Sequence, residues 1–274
     1  MKSASMDWLI TDERDDRKVL ALLEHDRIWN SFALADLLPP FRDFTRFITA
    51  SRLDEKPTAL VMIIEHPGFS TVSPFGDADG VAAILSQTPL PSSTLVQATA
   101  PHLASIEAVY RPAPAWREML RMAVESQMFL PQSGYEQAGR LTVENDDEIR
   151  GLYALFPESH YRPELLDQDS FYGLREHDHL VAIAGTHVVA ERYGIAVVGN
   201  VFTHPDARGR GYASAVTAAV VADLLRRGCR DVVLNVFATN AHAIAVYRRL
   251  GFQTAHHVWS GQAELRQETR EAAT

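Results

Sequence analysis

Cysteine is almost missing: Cys229 stands alone among 274 residues. That excludes an internal disulfide framework and a cysteine-built metal cluster. Cys229 lies just past an expected helix end, in Arg226-Arg-Gly-Cys-Arg230, with no histidine patterned beside it. It reads as a half-buried structural thiol, not a nucleophile. A positive excess is missing too. Lys and Arg total 26 against 35 Asp and Glu, a formal net charge of −9. General nucleic-acid binding and attraction to anionic membranes are disfavoured. Neither a nucleic acid nor a membrane is expected as a partner. No apolar run reaches transmembrane length, and Met1–Asp7 lacks the apolar core of a secretory leader, so the expected compartment is the cytoplasm. Two nucleotide signatures are also absent: G-x-x-x-x-G-K-[ST], and G-x-G-x-x-G with an acidic residue about twenty positions on.

What is present suits a globular chain long enough for two domains, with 46% hydrophobic and 22% charged residues. The acidic balance is compatible with a cationic or amine substrate. The chain is organised around Ile195–Phe252. Ile195–Thr203 is an apolar, β-branched strand pattern. His204-Pro205-Asp206-Ala207 breaks it, because proline fixes its φ and restrains the residue before it. Arg208-Gly209-Arg210-Gly211-Tyr212-Ala213 then leads into an apolar helix over Ser214–Leu225. Ala213, Val216, Val220 and Leu224 share one face of it.

A helix start exposes N–H groups without internal partners, at the positive end of the helix dipole. Such an end accepts phosphate. Gly209 and Gly211 permit close backbone approach and positive φ. Arg208 and Arg210 add charge. The turn therefore reads as a pyrophosphate cradle; an ordinary surface turn is the alternative. Beyond it, Asp231–Phe237 is another apolar strand. Asn240 occupies a helix N-cap position and shares a helix face with Ala243 and Tyr247. Gly251 marks a left-handed helix stop, and Phe252 supplies the apolar contact after it.

These residues together resemble the core of the GNAT acetyltransferase superfamily. The family's phosphate motif, [Q/R]-x-x-G-x-[G/A], is matched by Arg208-x-x-Gly211-x-Ala213. Its later motif, N-x-x-A-hydrophobic-x-x-Y followed by G-F, is matched by Asn240, Ala243, Ile244, Tyr247, Gly251 and Phe252. The resemblance covers residues 138–262. It implies an α+β fold and an acyl-CoA-dependent N-acetyltransferase that moves an acetyl group from acetyl-CoA to a small-molecule amine in a ternary complex. The alternative is a non-catalytic acyl-CoA sensor. By resemblance, Asn200–Thr203 would pair with the pantetheine arm, through Val201, Phe202 and Thr203. A backbone N–H near Val201 would donate to the oxyanion. Arg208 to Ala213 and Asn240 would contact CoA, and Tyr247 would protonate the leaving sulfur. The general base stays unassigned. Asn200 stands where many members carry a Glu, none of His187, Glu191 or His204 stands out, and a water relay is the alternative.

The first half shows a similar element order. Helices are expected over Val19–Trp29 and Phe32–Leu38, stopped by Pro39-Pro40. Strands follow at Phe44–Ala50, Ala59–Ile64 and Phe69–Ser73, with a turn at His66-Pro67-Gly68. A helix at Val81–Ser86, a strand at Thr94–Ala98 and a helix marked by Leu103, Ile106 and Tyr110 complete it. Ala108-Val109-Tyr110-Arg111 is echoed by Ala245-Val246-Tyr247-Arg248, an offset of 247 − 110 = 137, half of 274. The expectation is two tandem GNAT-like domains, each a mixed, mostly antiparallel twisted sheet flanked by helices. Residues 1–125 would be the degenerate one, or an unrelated cap. A linker is expected over 126–137, around Pro131-Gln-Ser-Gly134, and the acetyltransferase domain over 138–274. In the first half, Asp77 and Asp79 stand where a phosphate turn belongs and would repel pyrophosphate.

In the second half, a strand is expected at Ala138–Val143, and a helix from Asn145 to about Phe156. Irregular residues 157–169, with Glu158, His160, Tyr161 and Arg162, either line the acceptor pocket or form a solvated loop. Phe171–Arg175 and Leu180–Val189 read as antiparallel strands. His177 and His179, in the turn between them, read as solvated, and no metal is expected. A homodimer is left open by the sequence.

Overall fold

The computed structural model describes residues 8–156, 161–163, 166 and 170–267. In chain order the elements are β1 (Leu9–Glu13), α1 (Asp16–Leu23), α2 (Ser31–Ala35), β2 (Thr45–Ser51), β3 (Ala59–His66), β4 (Phe69–Gly76), α3 (Ala78–Gln87), β5 (Ser93–Ala98), α4 (Ala100–Val109) and β6 (Tyr110–Pro112). Then come β7 (Arg117–Glu125), β8 (Gly139–Arg140), α5 (Asp146–Tyr153), β9 (Tyr172–Glu176), β10 (His179–Ala190), β11 (Ile195–Thr203), α6 (Tyr212–Arg226), β12 (Asp231–Phe237), α7 (Ala241–Arg249) and β13 (Gln253–Leu265). No helix among the described residues is long and apolar enough to cross a membrane.

The chain forms two compact units. One comprises Met1–Met119 with His256–Thr274, the other Leu120–Ala255. In the first, the strand order is β1-β2-β3-β4-β5-β13. β1 to β4 are antiparallel, β4 and β5 are parallel, and β13 runs antiparallel to β5. β3 is buried along Ala59–Ile64, as a central strand should be. Asp15 caps α1 by accepting from the Arg17 N–H, and Val19 and Leu23, four residues apart, bury that helix's inner face.

In the second unit the order is β7-β12-β11-β10-β9-β8. β9 and β10 form a hairpin closed by Glu176 opposite His179. The turn residues His177 (φ 49°) and Asp178 (φ 63°) are both left-handed, which matches the twist of flanking strands. β10 and β11 are antiparallel, and β11 and β12 parallel. α6 buries Val216, Val220 and Leu224 in a core shared with Ala182, Ala196, Val198 and Val232. Across the sheet, Ile149, Leu152, Tyr153, Phe171, Ile183 and Phe202 form a second cluster.

Three strands that the sequence pattern did not announce matter most here. β1 opens the first unit. β7, from the first half of the chain, completes the second unit beside β12. β13, from the last residues, completes the first beside β5. Each unit is thus closed by a strand from the other half of the sequence. The units divide between Met119 and Leu120 and again between Ala255 and His256. The boundary expected at 126–137 falls inside the second unit, and residues 256–274 belong with the first. The strand expected at Ala138–Val143 is reduced to Gly139–Arg140, and the helix expected through Trp29 gives way to a 3-10 turn after Leu23.

Candidate active site

β11 and β12 pair from Ile195↔Asp231 to Val198↔Leu234. β11 continues to Thr203 and β12 to Phe237 without pairing each other further. The strands part at Gly199. Two irregularities sit at that point. Ile183 and Gly185 of β10 face Phe202 and Gly199, so β11 carries an extra residue at Asn200–Val201. Thr186 and Val188 face Val198 and Val197, so β10 carries an extra residue, His187. Asn200 has φ 54°, rare away from glycine, and is buried. Its carbonyl accepts the Tyr153 hydroxyl at 2.5 Å. Bulges of this kind re-aim backbone and side chains beside functional sites. Val201, Phe202 and Thr203 therefore line the free edge of β11 beyond the parting.

The turn after β11 leads to the start of α6. Gly209 (φ 78°) and Gly211 (φ 83°) are both left-handed, and a Cβ at either would meet nothing within 4 Å. Glycine serves conformation here, not crowding. Gly211 caps the helix without a side-chain bond. The first bond in the helix runs from the Ala215 N–H to the Gly211 carbonyl, 3.1 Å. The N–H groups of Tyr212, Ala213 and Ser214 thus have no acceptor within it. Arg208 is exposed and donates from Nε to the Thr203 carbonyl at 3.4 Å. Arg210 is held differently from the sequence expectation. Its guanidinium donates to both carboxylate oxygens of Glu176, at 2.7 and 2.9 Å. The Tyr212 hydroxyl bonds the same carboxylate. These two donors, Tyr212 foremost, hold the Glu176 carboxyl below its usual range.

α7 carries Tyr247. Asn240 is its N-cap, with Oδ1 accepting from the Ala243 N–H at 3.1 Å. The helix ends on Gly251 (φ 97°). The Gly251 N–H donates to the Arg248 carbonyl and the Phe252 N–H to the Tyr247 carbonyl, each at 3.1 Å. That is a Schellman stop. The Phe252 ring meets Tyr247 edge-on, centroids 6.0 Å apart. Tyr247 is 7% exposed. Burial pushes its hydroxyl up to about 12, so it keeps its proton at neutral pH.

On the opposite face of β11, the Tyr153 ring lies tilted against Tyr161, centroids 5.5 Å apart, and the Tyr161 hydroxyl donates to Asp146 at 2.7 Å. Phe156 stacks on Phe202. Arg162 donates to the His187 carbonyl at 3.3 Å. Glu158 and His160, expected near the acceptor pocket, lie outside the described residues. Of the candidate bases, Glu191 is engaged by Arg227, and His204 accepts from the Asp206 N–H. Sequence reasoning missed Tyr153, which reads only as a buried position on an amphipathic helix. It also missed Glu176, which is 34 residues from Arg210.

A family model described as "Acetyltransferase (GNAT) family" matches residues 113–252, just over half of the 274 residues. The chain belongs to the GNAT acetyltransferase family. The mycothiol acetyltransferase of Amycolatopsis mediterranei is 32% identical over 126 residues, which cover 43% of this chain and 38% of that protein. That of Saccharomonospora viridis is 47% identical over 66 residues, 23% of this chain and 22% of the relative. The aligned part is well under half the length of either. A tandem GNAT protein from the clavulanic acid biosynthesis pathway has a TM-score of 0.54 at 12% identity, covering 94% and 98% of the two chains. That likeness is one of fold: two GNAT-like domains in tandem, each a mixed, mostly antiparallel sheet with helices.

The GNAT family implies acetyl-CoA, and the residues fit it on an observation independent of the motif. Thr203 Oγ1, at the end of β11, and Ser214 Oγ, in the first turn of α6, are buried without a hydrogen-bond partner among the described residues. A buried polar atom without a partner is rare and costs stability. Four other buried side-chain oxygens share that state, Asp12 Oδ1, Asn30 Oδ1, Ser31 Oγ and Thr217 Oγ1, but Thr203 and Ser214 flank the glycine turn in sequence, where a phosphate group would supply acceptor oxygens. Cys229 is buried, and its thiol is pushed up to about 11 by desolvation, as suits a structural residue.

Proposed function

We propose that this chain is an acetyl-CoA-dependent N-acetyltransferase acting on the amine of a small molecule. The observation that carries the reading is the parting of β11 from β12 beyond Val198↔Leu234, beside a helix start with free N–H groups. The names of the mycothiol acetyltransferase relatives support acetyl transfer to a small molecule.

When bound, acetyl-CoA supplies an activated acyl thioester. Arg208, Gly209, Arg210, Gly211, Tyr212 and Ala213 hold the pyrophosphate, chiefly through backbone N–H groups. Val201, Phe202 and Thr203 offer backbone partners along the free edge of β11. The Val201 N–H, set by the kink at Asn200, donates to the developing oxyanion. Tyr247 keeps its proton until a thiolate needs it. Asn240 caps the helix that presents Tyr247. The first unit takes no cofactor on this reading. There Asp77 already accepts from the Gly80 N–H at 2.9 Å, so its carboxylate occupies the place of a phosphate.

Calorimetric titration with acetyl-CoA tests this, together with an amine panel read by thiol release. One site per chain is expected, lost in an Arg208→Glu, Gly211→Asp variant. Tyr247→Phe should bind acetyl-CoA as the native chain does and lose ~100-fold or more in kcat. Binding without thiol release for any amine would instead make the chain an acyl-CoA sensor. Two sites would overturn the reading of the first unit, and no binding would overturn the whole.

A further inference from the structure

We propose that His187 is the group that takes the proton from the attacking amine, an assignment that rests on the transferase reading above. Three observations place its ring against β11 at the point where that strand leaves β12. His187 is the extra residue of the β10 bulge, between Thr186↔Val198 and Val188↔Val197. Its imidazole lies against Gly199: a Cβ there would stand 2.0 Å from Nε2 and 2.2 Å from Cδ2. Only a residue without a side chain admits the ring at that point. Gly199 is also the first residue of β11 past the last pair with β12, and it precedes the kinked Asn200. The imidazole therefore sits where the strands begin to part.

The face of the sheet fits the chemistry. Gly199 pairs with Gly185, and the Phe171 ring fills the space over Gly185. The His187 ring thus shares the side of the sheet occupied by Phe171, Tyr153 and Phe202. Tyr247 belongs to the cluster on the other side, with α6. The base and the acid therefore approach the thioester from separate sides of the sheet, so that one can serve the amine while the other serves the sulfur. Nε2 takes one proton from the protonated amine before attack; the neutral amine then forms the N–C bond and sheds its second proton to water. Tyr247 gives the proton that the sulfur takes as the C–S bond breaks. The two side chains then return to their starting states by proton exchange with water. Asn200 stands where a carboxylate base would be expected, and a histidine reaching across from the neighbouring strand supplies the missing function.

The test compares two acceptors: phenylethylamine, protonated at neutral pH, and 2,2,2-trifluoroethylamine, largely neutral there. His187→Ala should lose ~100-fold or more in kcat/KM with the first and less than about tenfold with the second. Added imidazole should restore the first rate, because the alanine leaves a ring-sized space over Gly199. Acetyl-CoA affinity by calorimetry should stay at the native value. A histidine ring resonance missing from the His187→Ala spectrum should shift when acetyl-CoA is added to the native chain. Equal losses for both amines, no rescue, or a resonance that does not move would overturn the assignment. If the native chain binds no acetyl-CoA, the transferase reading itself falls. If both proteins bind and turn over alike, only the role of His187 falls.

Discussion

Gly251 and Gly209 share a backbone conformation, with φ of 97° and 78°, but not an environment. That contrast gives a prediction that separates conformational strain from crowding. An alanine at Gly209 would meet nothing within 4 Å, so only the left-handed backbone opposes it. Holding a non-glycine residue there costs about 1–2 kcal/mol. The lower entropy of alanine in the unfolded chain offsets roughly 0.4–1 kcal/mol of that. Gly209→Ala should therefore destabilise by about 0–1.6 kcal/mol.

At Gly251 a Cβ would stand 1.9 Å from the Met128 carbonyl oxygen and 2.9 Å from its carbon. Both are backbone atoms, and neither can turn aside as a side chain could. The Met128 segment is pinned in addition, because the Leu130 N–H donates to the Leu250 carbonyl at 3.0 Å. Overpacking of this kind adds typically about 1–3 kcal/mol, so Gly251→Ala should lose about 3 kcal/mol in all. The assay must report on the second unit alone. All four tryptophans, Trp8, Trp29, Trp116 and Trp259, lie in the first unit, so their fluorescence is silent on this point. Cys229, buried in the second unit, is the natural probe. Its labelling rate against urea concentration should move strongly for Gly251→Ala and little for Gly209→Ala. Shifts within about 0.5 kcal/mol of each other would refute the crowding argument and leave φ as the only operative factor.

Two further outcomes can be read with the same tools. Desolvation lowers the His102 pKa below 6.5, while Nε2 donates to the Gly76 carbonyl and Nδ1 accepts from Thr99. The unfolded chain then binds a proton that the folded one refuses, so first-unit stability, followed by tryptophan fluorescence, should fall as pH drops below 6.5, and His102→Gln should flatten that fall. Glu176→Gln removes the carboxylate that holds Arg210, so acetyl-CoA should bind about threefold more tightly and with steeper salt dependence, as seen by calorimetry; unchanged affinity would mean that Arg210 takes no part in holding phosphate.

Local chemistry was legible in the sequence, and pairing across the sheet was not. β11 and β12 have the bounds expected of Ile195–Thr203 and Asp231–Phe237, because apolar β-branched runs were bracketed by Pro205, Gly194 and Gly228. The caps at Asn240 and Gly251 were equally plain, since each is decided within four residues. The exchange of β7 and β13 left no local mark: a strand's pattern shows which face is apolar, not which neighbour it joins. The Ala-Val-Tyr-Arg echo misled in detail. Tyr247 lies within α7, whereas Tyr110 lies just past the end of α4 and donates to the Pro91 carbonyl at 2.9 Å. At the site, nothing local marks Glu176 as the partner of Arg210, because 34 residues separate the two. His187 could not be chosen from its neighbours, because what places it is a bulge and a glycine on another strand.

The two units also show why one fold can hold two different endings of the same motif. Both keep a parallel strand pair that stops early, at Val72↔Val96 and at Val198↔Leu234. Both place a left-handed glycine ahead of the following helix, Gly76 at φ 82° and Gly211 at φ 83°. The difference lies in what satisfies the helix start. In the second unit no side chain does, and the N–H groups of α6 stay available to an anion. In the first, Asp77 follows Gly76 and takes the Gly80 N–H for itself. A Cβ at Gly76 would stand 2.2 Å from the Thr58 carbonyl oxygen, so the backbone is packed close there, whereas Gly211 has open space around it. A helix cap of this kind contributes about 1 kcal/mol. Capping and phosphate binding compete for the same few N–H groups, so a helix start that stabilises its own unit has nothing left to offer a ligand. The start of α6 keeps its N–H groups without a side-chain acceptor, and a donor set left open in that way is what an anion needs.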